Sequence, residues 1–321
     1  MSFSSILGQE RALRMIRVLL RSRRLPPALL FCGPEGTGKK MAALELAKAL
    51  GCEAQGSDAC DACTSCAQAQ KGIAPDIQLI DAEYQARLEL KDEDATEKEV
   101  DDLIGKQRLI HIDTIRHAVG TLARSSLLGG WKTAILENAH LLKTEAANAM
   151  LKSLEEPPPR TLWILVTHQD ERLLSTIRSR CHRVRFGPLA PAVVLEVLAS
   201  KGHDGPDAAK AAKDSGGSLS RALSLLENRC PEPPAWLADP LAPFALADSL
   251  PRELHLARPL VEEHLVRMAC HLRGRYACAA ARGALRELSG LRRALASNVD
   301  PRLALEAAAL ILQSVPAPKD K

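Results

Sequence analysis

Residues 28–40 read Ala-Leu-Leu-Phe-Cys-Gly-Pro-Glu-Gly-Thr-Gly-Lys-Lys. The apolar run from Ala28 to Cys32 is typical of a buried parallel strand, and the residues from Met41 onward predict a helix. A glycine-rich turn between a strand and a helix directs backbone N–H groups toward phosphate. The sequence therefore predicts a phosphate loop, and an ordinary glycine turn is the alternative. The candidate nucleotide-binding residues are Gly33, Gly36, Thr37, Gly38, Lys39 and Lys40.

The last position of this loop departs from the pattern G-x-x-x-x-G-K-[ST]. Lys40 stands where a serine or threonine hydroxyl binds the Mg²⁺ of the nucleotide. After the predicted strand Thr133–Leu136, Glu137 and Asn138 replace the usual acidic pair, and a neutral amide cannot accept a proton from water. These departures predict a chain that does not hydrolyse nucleotide. Lys40 could instead neutralise phosphate charge and allow ATP or ADP to bind without Mg²⁺.

Four cysteines lie close together, with the spacing C-x7-C-x2-C-x2-C. Four thiolates on a short loop suit tetrahedral Zn²⁺, and a site whose four positions are all filled by protein leaves no place for water. The expected zinc ion is therefore structural, and four free thiols are the alternative. The expected ligands are Cys52, Cys60, Cys63 and Cys66.

The composition is that of an ordinary globular protein. Its 321 residues are 46% hydrophobic and 26% charged, and a formal net charge of +4 is too small to predict nucleic-acid binding by itself. The N-terminus lacks a basic region followed by an apolar run, and no apolar run reaches about 18 residues. We therefore expect a cytoplasmic protein with reduced thiols and no membrane contact.

The pattern of strands and helices predicts three domains. Strands alternate with helices over residues 1–187, which predicts a parallel α/β sheet. Residues 188–230 predict a small helical lid and residues 240–321 a C-terminal helical domain, with a proline-rich linker between the two. The stretch 82–109 is dense in charge and poor in structure signals, so we expect an exposed loop there.

Further segments complete a pattern that runs along the first 227 residues. They are Ile6-Leu7-Gly8-Gln9, the run from Ala147 to Pro158, Thr167, Ser179-Arg180-Cys181 and the run from Gly216 to Leu223. Together with the phosphate loop and the cysteine cluster, they resemble the clamp-loader subunits of bacterial DNA polymerase III, most closely the delta-prime type. The resemblance implies an AAA+ fold: a P-loop parallel sheet core with a zinc module, a small helical lid and a C-terminal helical collar.

The resemblance also implies roles for single residues. Arg180 matches the arginine finger that acts in trans on ATP bound to an adjacent subunit. Thr167 matches the sensor 1 position, and Arg221 matches the sensor 2 position, where it would contact phosphate from the lid. If the chain's own site is inactive, Thr167 and Arg221 are structural relics.

By this resemblance the chain would be a non-hydrolysing clamp-loader subunit. The implied partners are the ATPase and delta-type subunits of a hetero-oligomeric ring, the sliding clamp, and primer-template DNA through the complex. The arginines near the N-terminus could face DNA phosphate or form an ordinary solvated helix face; they are Arg11, Arg14, Arg17, Arg21, Arg23 and Arg24. One alternative is an active AAA+ ATPase of the gamma/tau type with variant motifs. Another is a small-molecule P-loop kinase, but its zinc-bearing lid would place the cysteines far beyond the first helix.

Overall fold

The computed structural model describes residues 2–22, 24–90, 97–106, 109–124, 126, 130–227, 242–251, 253–273, 278–297 and 299–315. The chain forms two compact units, Met1–Leu226 and Glu227–Lys321, and each has a hydrophobic core. Most of the predicted proline-rich linker lies outside the described residues, as does the acidic run from Lys91 to Asp94. Among the described helices, none has the length and apolar character needed to cross a membrane.

A five-stranded sheet forms the centre of the first unit. All its strands are parallel, in the order β2-β3-β4-β1-β5. The strands are β1 (Ala28–Cys32), β2 (Ile77–Ile80), β3 (Lys132–Leu136), β4 (Thr161–Thr167) and β5 (His182–Arg185). Every residue of β1 and β4 is buried, which explains their nearly continuous apolar sequences. The predicted parallel α/β core is confirmed.

Helices cover both faces of this sheet. They are α1 (Glu10–Ser22), α2 (Lys39–Gly51), α3 (Thr64–Gln70), α4 (Ala82–Leu90), α5 (Glu97–Lys106), α6 (Ile112–Ala123), α7 (Thr144–Glu155) and α8 (Ser175–Arg178). Alternate residues of β1 face opposite sides, because side chains alternate along a strand. Leu29 and Phe31 join one core with α1 and α2, whereas Leu30 and Cys32 join a second core with α6 and α7.

The stretch 82–109 is not the exposed loop that its charge predicted. Helices α4 and α5 occupy its described parts. The buried side chain of Gln85 donates to the carbonyl of Leu109 at 3.1 Å, and its oxygen accepts from the backbone of His111 and the hydroxyl of Thr114. A buried glutamine thus ties α4 to the start of α6. A polar anchor gives no apolar periodicity, so the pattern missed the helix.

Three short helices end the first unit and share a small core. They are α9 (Pro191–Ser200), α10 (Pro206–Asp214) and α11 (Leu219–Glu227). The core consists of Leu189, Val194, Leu198, Ala208, Ala212 and Ala222. The helices lie within residues 188–230, as predicted, but belong to the same compact unit as the sheet. The lid as a separate domain stays a prediction.

The described part of the second unit is built from helices around one apolar core. These are α12 (Ala242–Asp248), α13 (Leu254–Arg273), α14 (Ala279–Ser297) and α15 (Pro301–Gln313). All four contribute to the core, through buried residues such as Ala247, Leu265, Leu288 and Leu305. The predicted all-α character of this region is confirmed.

Candidate nucleotide site and metal centre

The carboxyl ends of four strands meet at one edge of the sheet. Cys32 pairs with Thr167, and Leu136 pairs with both Ile80 and Leu165. The loop after β1 and the residues that follow β2 and β3 therefore lie together. A cleft of about 240 Å³ opens at this edge. Residues that line it include Gly36, Lys39, Lys40, Glu137, Asn138 and Thr167.

The backbone of the phosphate loop requires glycine at two positions. Gly33 has φ +145°, and a Cβ there would lie 2.1 Å from the carbonyl oxygen of Phe186. Gly36 has φ +68°, and its Cβ would lie 2.4 Å from the backbone nitrogen of Ser220. The Thr37 hydroxyl donates to the carbonyl of Pro34 at 2.8 Å, which closes the loop on itself. The loop therefore has the tight turn that a phosphate cradle needs, followed directly by α2.

The ammonium group of Lys39 lies within this loop. Its side chain is buried, and Nζ donates to the carbonyl of Gly33 at 2.8 Å and to that of Pro34. Burial lowers the pKa of Lys39 to about 8, although the carboxylate of Glu35 opposes this. A bound phosphate would have to compete with the two carbonyls for this ammonium.

Lys40 occupies the position expected for a metal ion. Its Nζ donates to Oε2 of Glu137 at 2.6 Å and lies 3.6 Å from Oδ2 of Asp81. Burial alone would lower the pKa of Lys40, but the hydrogen bond and charge of Glu137, with the charge of Asp81, raise it overall. A cation already stands among the carboxylates, so these residues do not fit Mg²⁺. Asp81, which directly follows β2, is not among the site residues predicted from the sequence.

Thr167 lies at the cleft beside two histidines that the sequence reading did not select. It is buried, its hydroxyl is 3.2 Å from Nδ1 of His140, and it accepts from the backbone of Gln169 at 3.0 Å. The rings of His140 and His168 meet edge to face at 4.3 Å. Burial lowers the pKa of His140 to about 4, and the nearby charges of His168, Arg172 and Lys39 act in the same direction. His140 is therefore neutral at pH 7.

The start of α11 touches the phosphate loop. The backbone N–H of Leu219 donates to the carbonyl of Gly36 at 3.1 Å, and Ser220 lines the cleft. Arg221 is exposed and is not among the residues that line this cleft. The lid helix is thus brought to the site, whereas the sensor 2 role of Arg221 stays a prediction.

Arg180 lies on the surface and is not among the residues that line this cleft. Its side chain is 36% exposed. Nε donates to Oε1 of Glu155 at 2.6 Å, and Nη1 donates to the carbonyl of Thr176 at 3.0 Å. This placement suits contact with another molecule, and the arginine-finger role stays a prediction.

The four clustered cysteines converge on one point. Their Sγ atoms all lie within 4.8 Å of one another, and tetrahedral zinc with Zn–S bonds of about 2.3 Å needs separations of about 3.8 Å. The backbone N–H groups of Cys60, Cys63 and Cys66 each point at the preceding cysteine sulfur at 3.4 Å. Backbone N–H groups of Ala62 and Cys63 lower the pKa of Cys60 to about 6, which favours the thiolate. This donor set fits Zn²⁺.

The cysteine loop is fixed to the helix that begins at the phosphate loop. Lys48 of α2 is buried, and its Nζ lies 2.6 Å from both Oδ1 of Asp61 and Oε2 of Glu45. Asp61 also accepts from the side-chain amide of Gln70 at 2.9 Å. These contacts hold the cysteine loop against α2.

The parallel sheet, the phosphate loop at the start of α2 and the helical segment that touches it define an AAA+ P-loop core. The profile of the protein family described as "DNA polymerase III, delta subunit" matches residues 8–190. The chain belongs to this family.

Similar proteins agree with this assignment. The chain is 30% identical over 220 residues to DNA polymerase III subunit delta' of Bacillus subtilis, covering 68% of this chain and 60% of that protein. It is 34% identical over 180 residues to subunit delta' of Pseudomonas aeruginosa, covering 56% and 48%. The chain thus spans about half to three fifths of the length of these relatives.

A solved structure supports the fold. A gamma subunit-related protein of DNA polymerase III from Thermotoga maritima superposes with a TM-score of 0.54, covering 94% of this chain and 98% of that chain. The two sequences are 18% identical, so this likeness concerns the fold alone.

Proposed function

We propose that this chain is a clamp-loader subunit of the delta-prime type that does not hydrolyse ATP and that offers Arg180 to ATP bound on a neighbouring subunit. The observation that carries the proposal is the position of Lys40. Its ammonium lies 2.6 Å from Glu137, in the place where the nucleotide's Mg²⁺ would be held.

Two features of the cleft argue against hydrolysis. Phosphoryl transfer in P-loop proteins depends on Mg²⁺ that bridges the phosphates and on a side chain that orients the attacking water. Lys40 lies at the carboxylates that would hold the metal. Asn138 lines the cleft and offers an amide where the sequence motif calls for a carboxylate. The gamma/tau-like alternative of an active ATPase would need both functions from this cleft.

The remaining cleft residues could still hold nucleotide. The loop from Gly33 to Lys39 would surround the phosphates, with Thr167 near the sensor 1 position and Arg221 contributing from the lid. Lys40 would supply positive charge in place of the metal, so ATP or ADP would bind without Mg²⁺. Binding would also require Lys39 to leave the carbonyls of Gly33 and Pro34.

Arg180 supplies the second half of the proposal. It is exposed and is not among the residues that line the chain's own cleft, which supports a role at a site on another molecule. An arginine finger raises the rate of phosphoryl transfer by about 10³ to 10⁵ because it stabilises charge in the transition state. A chain that does not hydrolyse ATP in its own cleft would thus contribute to ATP hydrolysis on a neighbouring subunit.

The other parts of the chain would serve assembly. The four cysteines would hold a structural Zn²⁺ that stiffens the loop on α2. The helical second unit would form the collar of a hetero-oligomeric ring with ATPase and delta-type subunits. In the cytoplasm, this ring would open the sliding clamp and place it on primer-template DNA.

Reconstitution tests this proposal. The wild-type chain and Arg180→Ala are each assembled with the clamp-loader ATPase and delta-type subunits of the same organism, and ATP turnover is measured with clamp and primed DNA. We expect Arg180→Ala to reduce turnover at one site by about 10³-fold or more, with assembly unchanged. Arg116→Ala, an exposed arginine of α6, is the control. An unchanged rate in Arg180→Ala would contradict the finger, and turnover by the isolated wild-type chain that Lys39→Ala abolishes would favour an active ATPase.

A further inference from the structure

We infer that Glu155 is the positioning residue for Arg180, and this inference rests on the proposed function. Oε1 of Glu155 accepts from Nε of Arg180 at 2.6 Å and forms an ion pair with Nη2 of the same guanidinium. The two residues lie 25 positions apart in the sequence, so the contact is made by the fold and not by one helix.

The backbones on both sides of this pair are fixed to one core. Glu155 ends α7, and its neighbour Leu154 is buried. Arg180 follows α8, and Ile177 and Cys181 are buried in the same cluster as Leu154. A surface pair whose two backbones rest on a shared core is held in one geometry, as a functional side chain requires.

The hydrogen bonds of Arg180 use only part of its guanidinium, and 36% of the side chain is exposed. Glu155 accepts the N–H of Nε and lies in ion-pair contact with Nη2, and the carbonyl of Thr176 accepts one N–H of Nη1 at 3.0 Å. A guanidinium has five N–H groups. Each terminal nitrogen therefore keeps at least one N–H outside these hydrogen bonds, and one such group on each nitrogen forms the fork that binds phosphate oxygens in a bidentate manner.

A contribution to folding stability does not explain why a glutamate stands at residue 155. A carboxylate at the carboxyl end of a helix meets the negative end of the helix dipole. The pair is also exposed, with 36% of the Arg180 side chain and 49% of the Glu155 side chain accessible, and exposed ion pairs contribute little to folding. Orientation of the guanidinium is the effect that this contact can supply.

The inference is tested in the reconstituted complex with Glu155→Ala, Glu155→Gln, Arg180→Ala and the double variant Glu155→Ala/Arg180→Ala. Glu155→Ala should lower kcat of ATP turnover by up to about 100-fold, which is what a displacement of about 1 Å can cost a reacting group. The KM for ATP and the melting temperature of the chain should stay near wild type. Glu155→Gln keeps an acceptor oxygen and should restore most of the rate.

The double variant separates a positioning role from an independent one. If Glu155 acts through Arg180, the double variant should be no slower than Arg180→Ala alone. The matched control is Glu156→Ala, which removes the adjacent exposed carboxylate and should leave kcat unchanged. Additive losses, or equal losses in Glu155→Ala and Glu156→Ala, would overturn the inference. If Arg180→Ala has no effect, the proposed function itself fails; if Arg180→Ala is slow and Glu155→Ala is not, only the positioning role fails.

Discussion

Nζ of Lys40 lies 2.6 Å from Oε2 of Glu137 and 3.6 Å from Oδ2 of Asp81. One side chain of α2 thus bridges the residues that follow two neighbouring strands. In active sites of this class a divalent ion joins such acids to the nucleotide. Here the cation belongs to the chain, so it balances the carboxylates but offers no coordination positions to phosphate oxygens.

Lys40→Thr should give the cleft an affinity for ATP that depends on Mg²⁺. Threonine supplies the hydroxyl that Mg²⁺ prefers and removes the cation that now occupies Glu137 and Asp81. Calorimetric titration of the isolated variant should give a Kd about tenfold lower with Mg²⁺ than with EDTA, equal to about 1.4 kcal/mol. The Kd of the wild-type chain for ATP should be the same with Mg²⁺ as with EDTA.

The control for this change is Lys40→Met, which removes the charge without adding an oxygen ligand. It should show no preference for Mg²⁺. If Lys40→Thr binds ATP alike in Mg²⁺ and EDTA, or if Lys40→Met gains the same preference, Lys40 is not what keeps the metal out.

The features that could be predicted from the sequence are those formed by residues close together in the chain. The strands, the phosphate loop and the cysteine cluster were predictable because apolar runs, glycines and Cys60, Cys63 and Cys66 act within a few residues of one another. The helix at Gln85 was missed because a single buried amide, bonded to three partners, replaces the apolar stripe that a pattern detects.

The side-chain contacts of Lys40 with Asp81 and of Arg180 with Glu155 could not be predicted from sequence patterns. Asp81 meets Lys40 only because β2 lies beside β3 in the sheet. Glu155 meets Arg180 only because α7 and α8 share a core. Long-range pairs of this kind depend on strand order and helix packing, which a single sequence does not specify residue by residue.

Stability of the first unit should fall as pH drops below neutrality, in part through His140. Its folded pKa of about 4 lies below the ordinary 6.5 because burial disfavours the charged ring. Between these values the unfolded chain binds a proton that the folded chain excludes, so the contribution is complete above pH 6.5 and is lost toward pH 4. With discounting for partial exposure, the loss is on the order of 1 kcal/mol.

Urea unfolding at pH 7 and pH 5 measures this contribution. His140→Gln should lose less stability than wild type over the same interval, because glutamine does not titrate. His182→Gln, at an exposed position of β5, is the control and should lose as much as wild type. Parallel losses in His140→Gln and wild type would show that His140 is not the group responsible.

Removal of one cysteine ligand should release zinc and destabilise the chain. Cys63→Ser should contain much less than one zinc per chain by elemental analysis, because an alcohol is a poor replacement for a thiolate on Zn²⁺. Its melting temperature should fall by roughly 5 to 10 °C, since metal binding contributes to folding free energy. The control is Cys278→Ser, which changes a cysteine outside the cluster and should keep the full zinc content. A Cys63→Ser protein with full zinc content would rule out this ligand set.

The contact between the phosphate loop and α11 should depend on the absence of a side chain at residue 36. A Cβ there would lie 2.4 Å from the backbone nitrogen of Ser220, so Gly36→Ala must push the start of α11 away and weaken the hydrogen bond from Leu219.

Gly216 is a matched control: its φ of +63° is close to the +68° of Gly36, but nothing lies within 4 Å of its Cβ position. Both alanine variants should lose about 1 to 2 kcal/mol of folding free energy, because a residue with a Cβ is strained in the left-handed conformation. Only Gly36→Ala should speed amide hydrogen exchange at Leu219 and Ser220, by roughly tenfold or more as the local opening becomes easier. Equal exchange in the two variants would mean that the loop and α11 are not held together through this contact.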